Sequence, residues 1–473
     1  MSKILDFTNK ENDFLFRLIG KVAMDLNSPA YVVGGFVRNF FLKKQSKDID
    51  IVCVGNGIQL AENVAALLQP SPKVVTYSRY GTAMFRFNDI EFEFVGARKE
   101  SYSADSRKPA VEEGTLEDDQ KRRDFTMNAL AFSLNPDEFG LFLDAFEGLE
   151  DLNNQIIKTP LDPGITFSDD PLRMMRAIRF AAQLGFVLDG DTKQALKKYK
   201  DRIDIISQER IAAELNKIIL SPKPSVGFLL LFETGLLSII FPEMVLLHGV
   251  EIKNGKGHKD NFFHTLQVLD NLSQVTDNLW LRWAAILHDI AKPQTKRWQA
   301  DIGWSFHGHE VLGASMVYTI FKRLKLPMDY KMKYVQQLVR LHLRPISLTK
   351  ENITDSAIRR LIVDAGDDLD DLMLLCKADI TSKNQSKVQK YLENYDLVME
   401  KIQAVESNDN LRNWQPPITG ELIMATFSIG PSKEVGLIKS AVREAILDGI
   451  IPNDYDAAFT YMKERGKDLG LQQ

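Results

Sequence analysis

Two aspartates separated by one residue are the first group in the chain whose spacing indicates chemistry. In the segment KDIDIV, Asp48 and Asp50 share one face of a predicted strand, and Ile49 and Ile51 point to the opposite face. Parallel carboxylates repel each other unless a cation lies between them, and a divalent cation there would support nucleotidyl transfer to a hydroxyl group. The alternative is a solvated strand edge that carries two exposed aspartates.

A glycine pair precedes these aspartates in the segment YVVGGFVRN. We expect an apolar strand to end at Gly34 and Gly35 and a helix that contains Arg38 to follow. Such a turn presents backbone N–H groups and a positive dipole end, which suits a phosphate group. Most glycine turns are only turns, so this prediction depends on the nearby aspartates.

A third carboxylate follows in the segment IEFEFV, where acidic residues alternate with apolar ones. Glu93 could face the same cation as Asp48 and Asp50, and Glu91 shares its face. An amphipathic edge strand explains the pattern as well, so the role of Glu93 stays open.

Two groups of arginines could hold a triphosphate or read a base. Arg122 and Arg123 in KRRDFT could clamp phosphates through bidentate contacts, although a solvated charge cluster would give the same pattern. Residues 168–171, SDDP, are expected to open a helix with Ser168 as its cap. On this helix four charged residues recur at every third position: Asp170, Arg173, Arg176 and Arg179. They could pair with the edge of a base, or form an Asp–Arg ion-pair ladder that only stabilises the helix.

All seven histidines lie between residues 248 and 342. His288 and Asp289 stand inside the apolar helix pattern WAAILHDIA, where a polar pair is costly to bury unless it is paired or metal-bound. With His264 before them and Asp379 after them, a divalent metal site is the simplest explanation. A buried His–Asp hydrogen bond without metal is the alternative.

The elements that position these residues divide the chain into an α+β first part and a helical remainder. The runs AYVV, DIDIVCV, TAMFRF and IEFEFV predict strands within about the first 150 residues. Nearly everything after about residue 168 predicts helix. Segments rich in Gly, Pro and polar residues predict joints near residues 165, 222, 255 and 416.

Composition bounds the class of protein. The chain has 473 residues and a formal net charge of −5, which suits about three domains and argues against an overall basic coat. Cys53 and Cys376 lie far apart, which excludes a disulfide framework and favours a reducing, cytoplasmic location. We expect neither a secretory signal nor a membrane span, because no apolar stretch has the required length and continuity.

Five motifs in order resemble the polymerase-β-type tRNA nucleotidyltransferase and poly(A) polymerase family, bacterial class II, joined to an HD domain. They are GGFVRN with DID, RRDFTMNALA, DDPLRMMRAIRFA, SQERIAAELNKIIL, and a set of His, His-Asp and Asp in the second half. The resemblance implies an α+β nucleotidyltransferase head with a mixed sheet over residues 1–150, followed by all-helical parts. These would be a neck with a nucleotide-template motif and RNA binding over 151–245, an HD-type metal-dependent domain over 246–400, and a tRNA-binding tail over 401–473.

The resemblance also implies roles for individual residues. Asp48 and Asp50 would hold Mg²⁺, and the triphosphate would lie at Gly34, Gly35 and Arg38 with help from Arg122 and Arg123. Asp170 and Arg173 would be the amino-acid template for CTP and then ATP, with Arg176 and Arg179 on the nucleotide face. Glu209, Arg210 and Glu214 would buttress the template helix through ion pairs. The HD ligands would be His264, His288, Asp289 and Asp379, with His309 and His342 as further candidates.

Three positions depart from the family pattern: Asn39 replaces Asp, Asp169 replaces Glu, and the run His-Asp-Ile-Ala lacks a glycine. The segment from Arg98 to Asp119 resembles, at full length, a mobile family loop associated with the switch from CTP to ATP.

These observations predict Mg²⁺-dependent addition of CCA to the 3′ end of tRNA from CTP and ATP, with release of pyrophosphate. One alternative is a poly(A) polymerase or the A-adding half of a split system. Another is an HD phosphohydrolase, using Mn²⁺, Ni²⁺ or Mg²⁺, whose head only binds RNA. The oligomeric state is left open.

Overall fold

The computed structural model describes residues 4–8, 12–103, 106–348, 354–382, 384–409 and 416–472. The chain forms two compact units, Met1–Pro242 and Glu243–Gln473. The division into four parts expected from the sequence stays a prediction. Among the described residues, no helix combines the length and apolar character needed to cross a membrane.

Nine of the strands lie in the first part of unit 1: β1 (Ala30–Val33), β2 (Asp48–Cys53), β3 (Val75–Tyr77), β4 (Thr82–Phe87), β5 (Ile90–Gly96), β6 (Arg98–Ser103), β7 (Ser106–Glu113), β8 (Ala131–Ser133) and β9 (Phe142–Leu143). In the described residues, seven of them form one mixed sheet in the order β3-β4-β5-β2-β1-β8-β9. Strand β2 is antiparallel to β1 and parallel to β5. The four runs predicted as strands are therefore confirmed, and all four belong to this sheet.

Alternation along the central strands separates core residues from polar ones. Ile49, Ile51, Phe92 and Phe94 are at most 1% exposed, so the isoleucines of β2 and the phenylalanines of β5 pack into the core. Successive side chains of a strand point to opposite faces, so the acidic residues of both strands lie on the other face.

The segment expected to be a mobile loop, Arg98 to Asp119, contains a hairpin of the antiparallel strands β6 and β7. It continues into a short helix whose N-cap, Thr115, forms a capping box with Asp118. The role expected for this segment, in the switch from CTP to ATP, stays a prediction. The side chains of residues 100–111 lie outside the described part of the chain.

Helices account for most of the rest of unit 1: α1 (Asp13–Asp25), α2 (Gly35–Phe41), α3 (Gly57–Ala66), α4 (Leu116–Lys121), α5 (Gly148–Asn153), α6 (Pro163–Asp169), α7 (Leu172–Leu184), α8 (Gly190–Tyr199), α9 (Gln208–Ile219), α10 (Pro224–Thr234) and α11 (Leu236–Ile240). The parallel pair β10 (Ile156–Ile157) and β11 (Val187–Leu188) joins them, and α12 (Pro242–Val245) lies at the unit boundary. Helix α7 packs against α9 and α10, and its buried residues include Met174 and Ile178.

The start of α7 differs from the sequence prediction. Ser168 and Asp169 are the last residues of α6, which Asp162 caps by accepting from the Ile165 N–H. Helix α7 begins at Leu172 with Pro171 as N-cap, and the Asp170 carboxylate accepts from the Leu172 N–H at 3.2 Å. The prediction of Ser168 as cap was wrong, because an earlier Asp-Pro pair already starts a helix.

In the residues of unit 2 that the structure describes, the regular elements are helices and two hairpins, β12 (Ile252–Lys253) with β13 (Lys256–Gly257) and β14 (Arg297–Gln299) with β15 (Gly303–Ser305). Its described helices are α13 (Asn261–Ser273), α14 (Leu279–Leu287), α15 (Lys292–Thr295), α16 (His309–Arg323), α17 (Tyr330–Leu341), α18 (Leu343–Ser347), α19 (Asp355–Ala365), α20 (Leu369–Asp379), α21 (Gln385–Asp409), α22 (Gly420–Phe427), α23 (Lys433–Leu447) and α24 (Tyr455–Asp468). Helix α14 packs against α13, α17 and α20, the elements that carry or adjoin the predicted HD ligands.

Candidate active site and candidate metal centre

The three predicted head carboxylates lie on adjacent strands. Parallel pairing of β2 with β5 places Asp50 opposite Glu93 and Asp48 opposite Glu91. Burial raises the pKa of Asp50, and Asp48 raises it further although Arg123 opposes this. Burial, Asp50 and Glu91 likewise raise the pKa of Glu93. This mutual repulsion is the condition that a bound divalent cation would relieve.

The carboxylates are not drawn into a closed cluster. Among the described residues, the groups of three donors whose atoms all lie within 4.8 Å are both in unit 2. The ligand atoms of Asp48, Asp50 and Glu93 are therefore more widely spaced than those of the groups in unit 2.

Gly34 sits directly against this site. Its φ is +71°, and a Cβ atom there would lie 3.0 Å from both Asp50 Oδ2 and Arg123 Nη1, so a side chain would be strained and crowded. Its N–H donates to the Leu130 carbonyl at 3.4 Å. Gly35 begins α2, where a Cβ would make only an ordinary contact. Close approach to Asp50 therefore requires glycine at position 34.

Arg38 follows one turn into α2 and is held by two amides. Its Nη1 donates to Asn128 Oδ1 at 2.8 Å, and its Nε and Nη2 donate to Asn39 Oδ1 at 3.2 and 2.9 Å. Burial lowers the pKa of Arg38 to about 10, with the neighbouring Arg179 and Arg176 acting in the same direction and Asp124 and Asp50 opposing them. Asn39 thus orients the guanidinium without neutralising it, which leaves a positive charge suited to an anion.

Asp119 orients both predicted phosphate-clamping arginines. It is fully buried, forms a short contact with Arg122 Nη2, and accepts from Arg123 Nε at 3.0 Å. Burial acts to raise the pKa of Asp119, but the two arginines hold it below its usual value. Arg122 and Arg123 are themselves only 21% and 17% exposed. This arrangement contradicts the alternative of a solvated charge cluster.

The charged residues of α7 pair with other segments. Arg176 donates to Asp124 at 2.7 Å, Arg179 lies 2.7 Å from Glu214, and Arg173 donates to the Arg122 carbonyl at 2.6 Å. The alternative prediction, an Asp–Arg ion-pair ladder within the helix, is therefore wrong. The helix is instead tied to the double-arginine segment and to α9.

Two of the three residues expected to support α7 through ion pairs lie close to charged residues of that segment. Glu214 pairs with Arg179, and Arg210 lies 3.6 Å from Asp170. Glu209 is exposed in the first turn of α9. Asp170 and Arg173 are both partly accessible, so their predicted role in reading a base stays open to test.

Phe180 is a part of this site that sequence reasoning missed. Its ring is contacted by three guanidinium groups, with centroid distances of 5.0 Å from Arg38, 5.5 Å from Arg176 and 4.1 Å from Arg179. Cation–π contact compensates part of the repulsion among them. Nothing in the local pattern distinguishes Phe180 from a core residue.

Asp119 and Asn128 were missed as well. Asp119 stands three and four residues before the arginines that it orients, a helical spacing that would have identified it. Asn128 is separated from Arg38 by 90 residues and carried no such signal.

In unit 2 the predicted HD residues converge on a buried centre. Two groups have all ligand atoms within 4.8 Å: His264, His288 and Asp379, and Asp289, His309 and His342. Asp289 joins them, because its Oδ2 lies 3.3 Å from His288 Nε2 and its Oδ1 lies 3.3 Å from His309 Nε2. His309 and His342, only candidates from the sequence, belong to the same centre.

Three of the histidines are oriented in the same way. The Nδ1 atoms of His288, His309 and His342 donate to the carbonyls of Ala285, Phe306 and Val339 at 2.6–2.7 Å. These bonds assign the proton to Nδ1 and turn each Nε2 lone pair toward the centre. Nε2 of His288 is buried and makes no well-oriented hydrogen bond, and the carboxylates of Asp289 and Asp379 lie 3.3 and 3.7 Å away, so the residues fit a metal ion.

Two lysines border the centre. Lys292 Nζ donates to Asp289 Oδ2 at 2.6 Å, and Lys259 Nζ lies 2.8 Å from His264 Nδ1. Burial acts to raise the pKa of Asp289, but His288 and Lys292 hold it well below its usual value. Asp289 is therefore ionised at neutral pH, the state that a metal ligand requires.

Three family models match the chain in sequence. They are the Poly A polymerase head domain over residues 30–158, the probable RNA and SrmB-binding site of polymerase A over 185–247, and the HD domain over 261–380. They account for the sheet with its carboxylates, the helices after α7, and the His–Asp centre.

Relatives support the same assignment. The chain is 32% identical over 341 residues to an A-adding tRNA nucleotidyltransferase of Deinococcus radiodurans, covering 70% of this chain and 75% of that enzyme. It is 36% identical over 273 residues to a CCA-adding enzyme of Anoxybacillus flavithermus, covering 57% of this chain and 62% of that enzyme, which is less than two thirds of its length. The structure of the Bacillus stearothermophilus CCA-adding enzyme in complex with CTP shares the fold, with a TM-score of 0.67, 22% identity and coverage of 98% and 99% of the two chains. The chain belongs to the class II tRNA nucleotidyltransferase and poly(A) polymerase family, and it carries an HD domain.

Proposed function

We propose that the chain adds C, C and A to the 3′ end of tRNA from CTP and ATP. The observation that carries the proposal is a set of hydrogen bonds that joins two groups of residues. One group is the strand face with Asp48 and Asp50 together with Arg123, and the other is helix α7 with Asp170 and Arg173. Arg173 donates to the Arg122 carbonyl, and Arg176 bonds Asp124, so the phosphate-binding and base-reading segments are held together.

In the proposed reaction the terminal ribose hydroxyl attacks the α-phosphate, the bond to the β-phosphate breaks, and pyrophosphate leaves. Arg38, Arg122 and Arg123 bind the polyphosphate, and Asp170 and Arg173 pair with the base. Asp48 and Asp50, with Glu93, would hold Mg²⁺. The ion would neutralise phosphate charge and lower the pKa of the attacking hydroxyl.

The test uses purified protein, tRNA that lacks CCA, and all four nucleoside triphosphates, with sequencing of the added tail. We expect CCA ends, and Asp48→Ala and Asp50→Ala should each abolish addition. The matched control is Asp137→Ala, an exposed head aspartate away from β2. A homopolymeric A tail, or A added only to tRNA that already ends in CC, would instead establish one of the rivals.

Variants of the template residues test base reading separately. Asp170→Ala and Arg173→Ala should damage the choice among nucleotides more than tRNA binding, because neither residue is assigned to phosphate contacts. Equal damage to both would show that these residues only support the structure.

A second activity is favoured by the two joined donor groups of unit 2. We propose that His264, His288 and Asp379, together with Asp289, His309 and His342, hold divalent ions such as Mn²⁺, Ni²⁺ or Mg²⁺ and hydrolyse phosphate esters. Bound ions would neutralise the phosphate and activate water. Metal analysis should find ions that His288→Ala removes, and the same variant should lose phosphatase activity while nucleotide addition persists. A centre that takes up no ion would favour a retained His–Asp hydrogen-bond network.

The remaining proposals concern RNA contacts and location. We propose that the helices after α7 and the tail over residues 401–473 contact tRNA, which the match to an RNA-binding family model supports for the former. A cytoplasmic location is supported by two buried free cysteines.

A further inference from the structure

A cavity of about 350 Å³ opens at the start of helices α14 and α17 in unit 2. Trp280 lines it from the first turn of α14, and Tyr330, Lys331 and Lys333 line it from the first turn of α17. Asp368 contributes to the lining from the turn between α19 and α20. The cavity therefore combines aromatic rings with charged groups of both signs.

The cavity is separate from the His–Asp centre. Helices α14 and α17 begin at the cavity and are followed at their C-terminal ends by His288 and His342. Helix α20 likewise begins after Asp368 and ends at Asp379. Helices α14 and α17 have 9 and 12 residues, so at about 1.5 Å per residue the cavity lies roughly 14–18 Å from the centre. The lining residues therefore take no part in the chemistry proposed for that centre.

Two aromatic rings border the same part of the cavity. Lys331 Nζ lies 5.6 Å from the ring centroid of Trp280 and 5.7 Å from that of Tyr330. Trp280 also packs against the buried ring of Phe321, with 5.9 Å between the centroids, whereas Tyr330 is 72% exposed. The flexible stem of a lysine lets its ammonium group withdraw from the rings. The two rings then offer a surface on which a planar base can stack.

The charged groups of the cavity have no partners of opposite charge. Among the described residues, neither Lys331 nor Lys333 forms an ion pair, and the Asp368 carboxylate accepts no hydrogen bond. Burial raises the pKa of Asp368, and neighbouring aspartates act in the same direction. One of these, Asp371, is already engaged, because it accepts from the Tyr334 hydroxyl at 2.6 Å. The cavity thus offers two ammonium groups to an anion and one carboxylate to an uncharged N–H donor.

Size and chemistry together indicate the ligand. A cavity of roughly 150 Å³ holds a benzene ring, so this larger one suits a group about as large as a nucleoside. We propose that the cavity binds a nucleotide whose base carries an exocyclic amino group. The base stacks on Trp280 and Tyr330, the amino group donates to Asp368, and the phosphate lies at the two lysines. The ligand is a free nucleotide or one nucleotide of a single RNA strand, and its binding depends on neither activity proposed above.

Tryptophan fluorescence measures this binding without turnover. The first 242 residues contain no tryptophan, so the signal comes from the range of unit 2. AMP is titrated into the full-length chain, with excitation at the red edge of the tryptophan band where the nucleotide does not absorb, and should quench the fluorescence. Tyr330→Ala should weaken binding by about tenfold or more. The matched control is Tyr318→Ala, at a position of α16 that is 48% exposed and does not line the cavity, and it should leave binding unchanged.

Matched ligands test the two polar contacts. Adenosine should bind more tightly than purine riboside, which lacks the amino group, by about tenfold, and Asp368→Ala should remove this difference. Lys333→Glu should weaken the binding of AMP but not of adenosine, because only AMP carries a phosphate. Lys322→Glu, at another exposed lysine, is the control and should alter neither.

An oligoadenylate strand distinguishes the two sources of the nucleotide. Displacement of AMP by the strand at a lower concentration than AMP itself requires would assign the cavity to RNA. AMP binding that the strand does not displace would assign it to a free nucleotide. The proposal is overturned by an absence of quenching with every ligand, or by quenching that Tyr330→Ala, Asp368→Ala and Lys333→Glu all leave unaltered.

Discussion

Replacing Glu214 with glutamine tests how strongly the buried ion pair with Arg179 stabilises unit 1. The Arg179 Nε and Glu214 Oε2 atoms are 2.7 Å apart, and the two side chains are 11% and 5% exposed. Glu214→Gln keeps the size of the side chain but removes its charge. The guanidinium then stays buried, with Gln183 Oε1 at 3.2 Å and the Phe180 ring at 4.1 Å as neighbours.

The expected loss follows from this geometry. Removing one partner of a buried ion pair costs about 3–5 kcal/mol, and the contacts to Gln183 and Phe180 place the expected value near the lower end, about 3 kcal/mol. For a unit of this size that corresponds to a decrease of roughly 6–12 °C in Tm. The control is Glu233→Gln, which breaks the Lys193–Glu233 pair whose side chains are 39% and 48% exposed, and should cost less than about 1 kcal/mol.

Two spectroscopic signals separate the units in this assay. All five tryptophans fall within the residue range of unit 2, and the four that the structure describes, at positions 280, 283, 298 and 304, report on that unit by fluorescence, while far-UV circular dichroism follows both units. Under urea, Glu214→Gln should shift the circular dichroism transition and leave the tryptophan transition in place. A loss no greater than that of Glu233→Gln would refute the assignment of Arg179 and Glu214 as a buried pair.

Three further predictions concern the sites themselves. Asp50→Asn should abolish nucleotide addition yet raise the free energy of unfolding at neutral pH by roughly 0.5–2 kcal/mol. Burial raises the pKa of Asp50, so the ionised carboxylate destabilises the fold above that pKa. The stability gained by the variant should therefore vanish as the pH falls through the pKa of Asp50. Gly34→Ala should cost about 1–3 kcal/mol and most of the activity, since φ is +71° and a Cβ would crowd Asp50 and Arg123; an unchanged Tm would contradict this. Removing metal ions with a chelator should lower the Tm of unit 2, measured by tryptophan fluorescence, and should leave the Tm of a His288→Ala variant unchanged. An equal decrease in Tm for the unmodified chain and the variant would show that the His–Asp centre does not cause the effect.

The sequence predicted those parts of the fold and site that local patterns determine. The alternation of apolar and acidic residues along β2 and β5 predicted both the buried phenylalanines and the carboxylates on the opposite face. This was possible because the two-residue repeat of a strand is visible within a short segment of sequence. The histidines were identified because a buried polar pair in an apolar helix is costly wherever it occurs.

The parts that could not be predicted depend on contacts between distant segments. Asn128 reaches Arg38 across 90 residues, and Arg176 reaches Asp124 across 52, so neither pairing follows from spacing within one element. The start of α7 was mispredicted because two adjacent helices each offered a plausible capping group.

The position of Asp289 between the two donor groups has a consequence for metal supply. Each of its oxygens faces a different group, so two ions in this centre would share one carboxylate and repel each other across it. Their affinities would then be thermodynamically linked, and a second ion would bind more weakly than the first. At limiting metal one position would then be filled and the other left open, so the hydrolytic activity proposed for this centre would follow the free metal concentration, while the proposed nucleotide addition at a separate site would not.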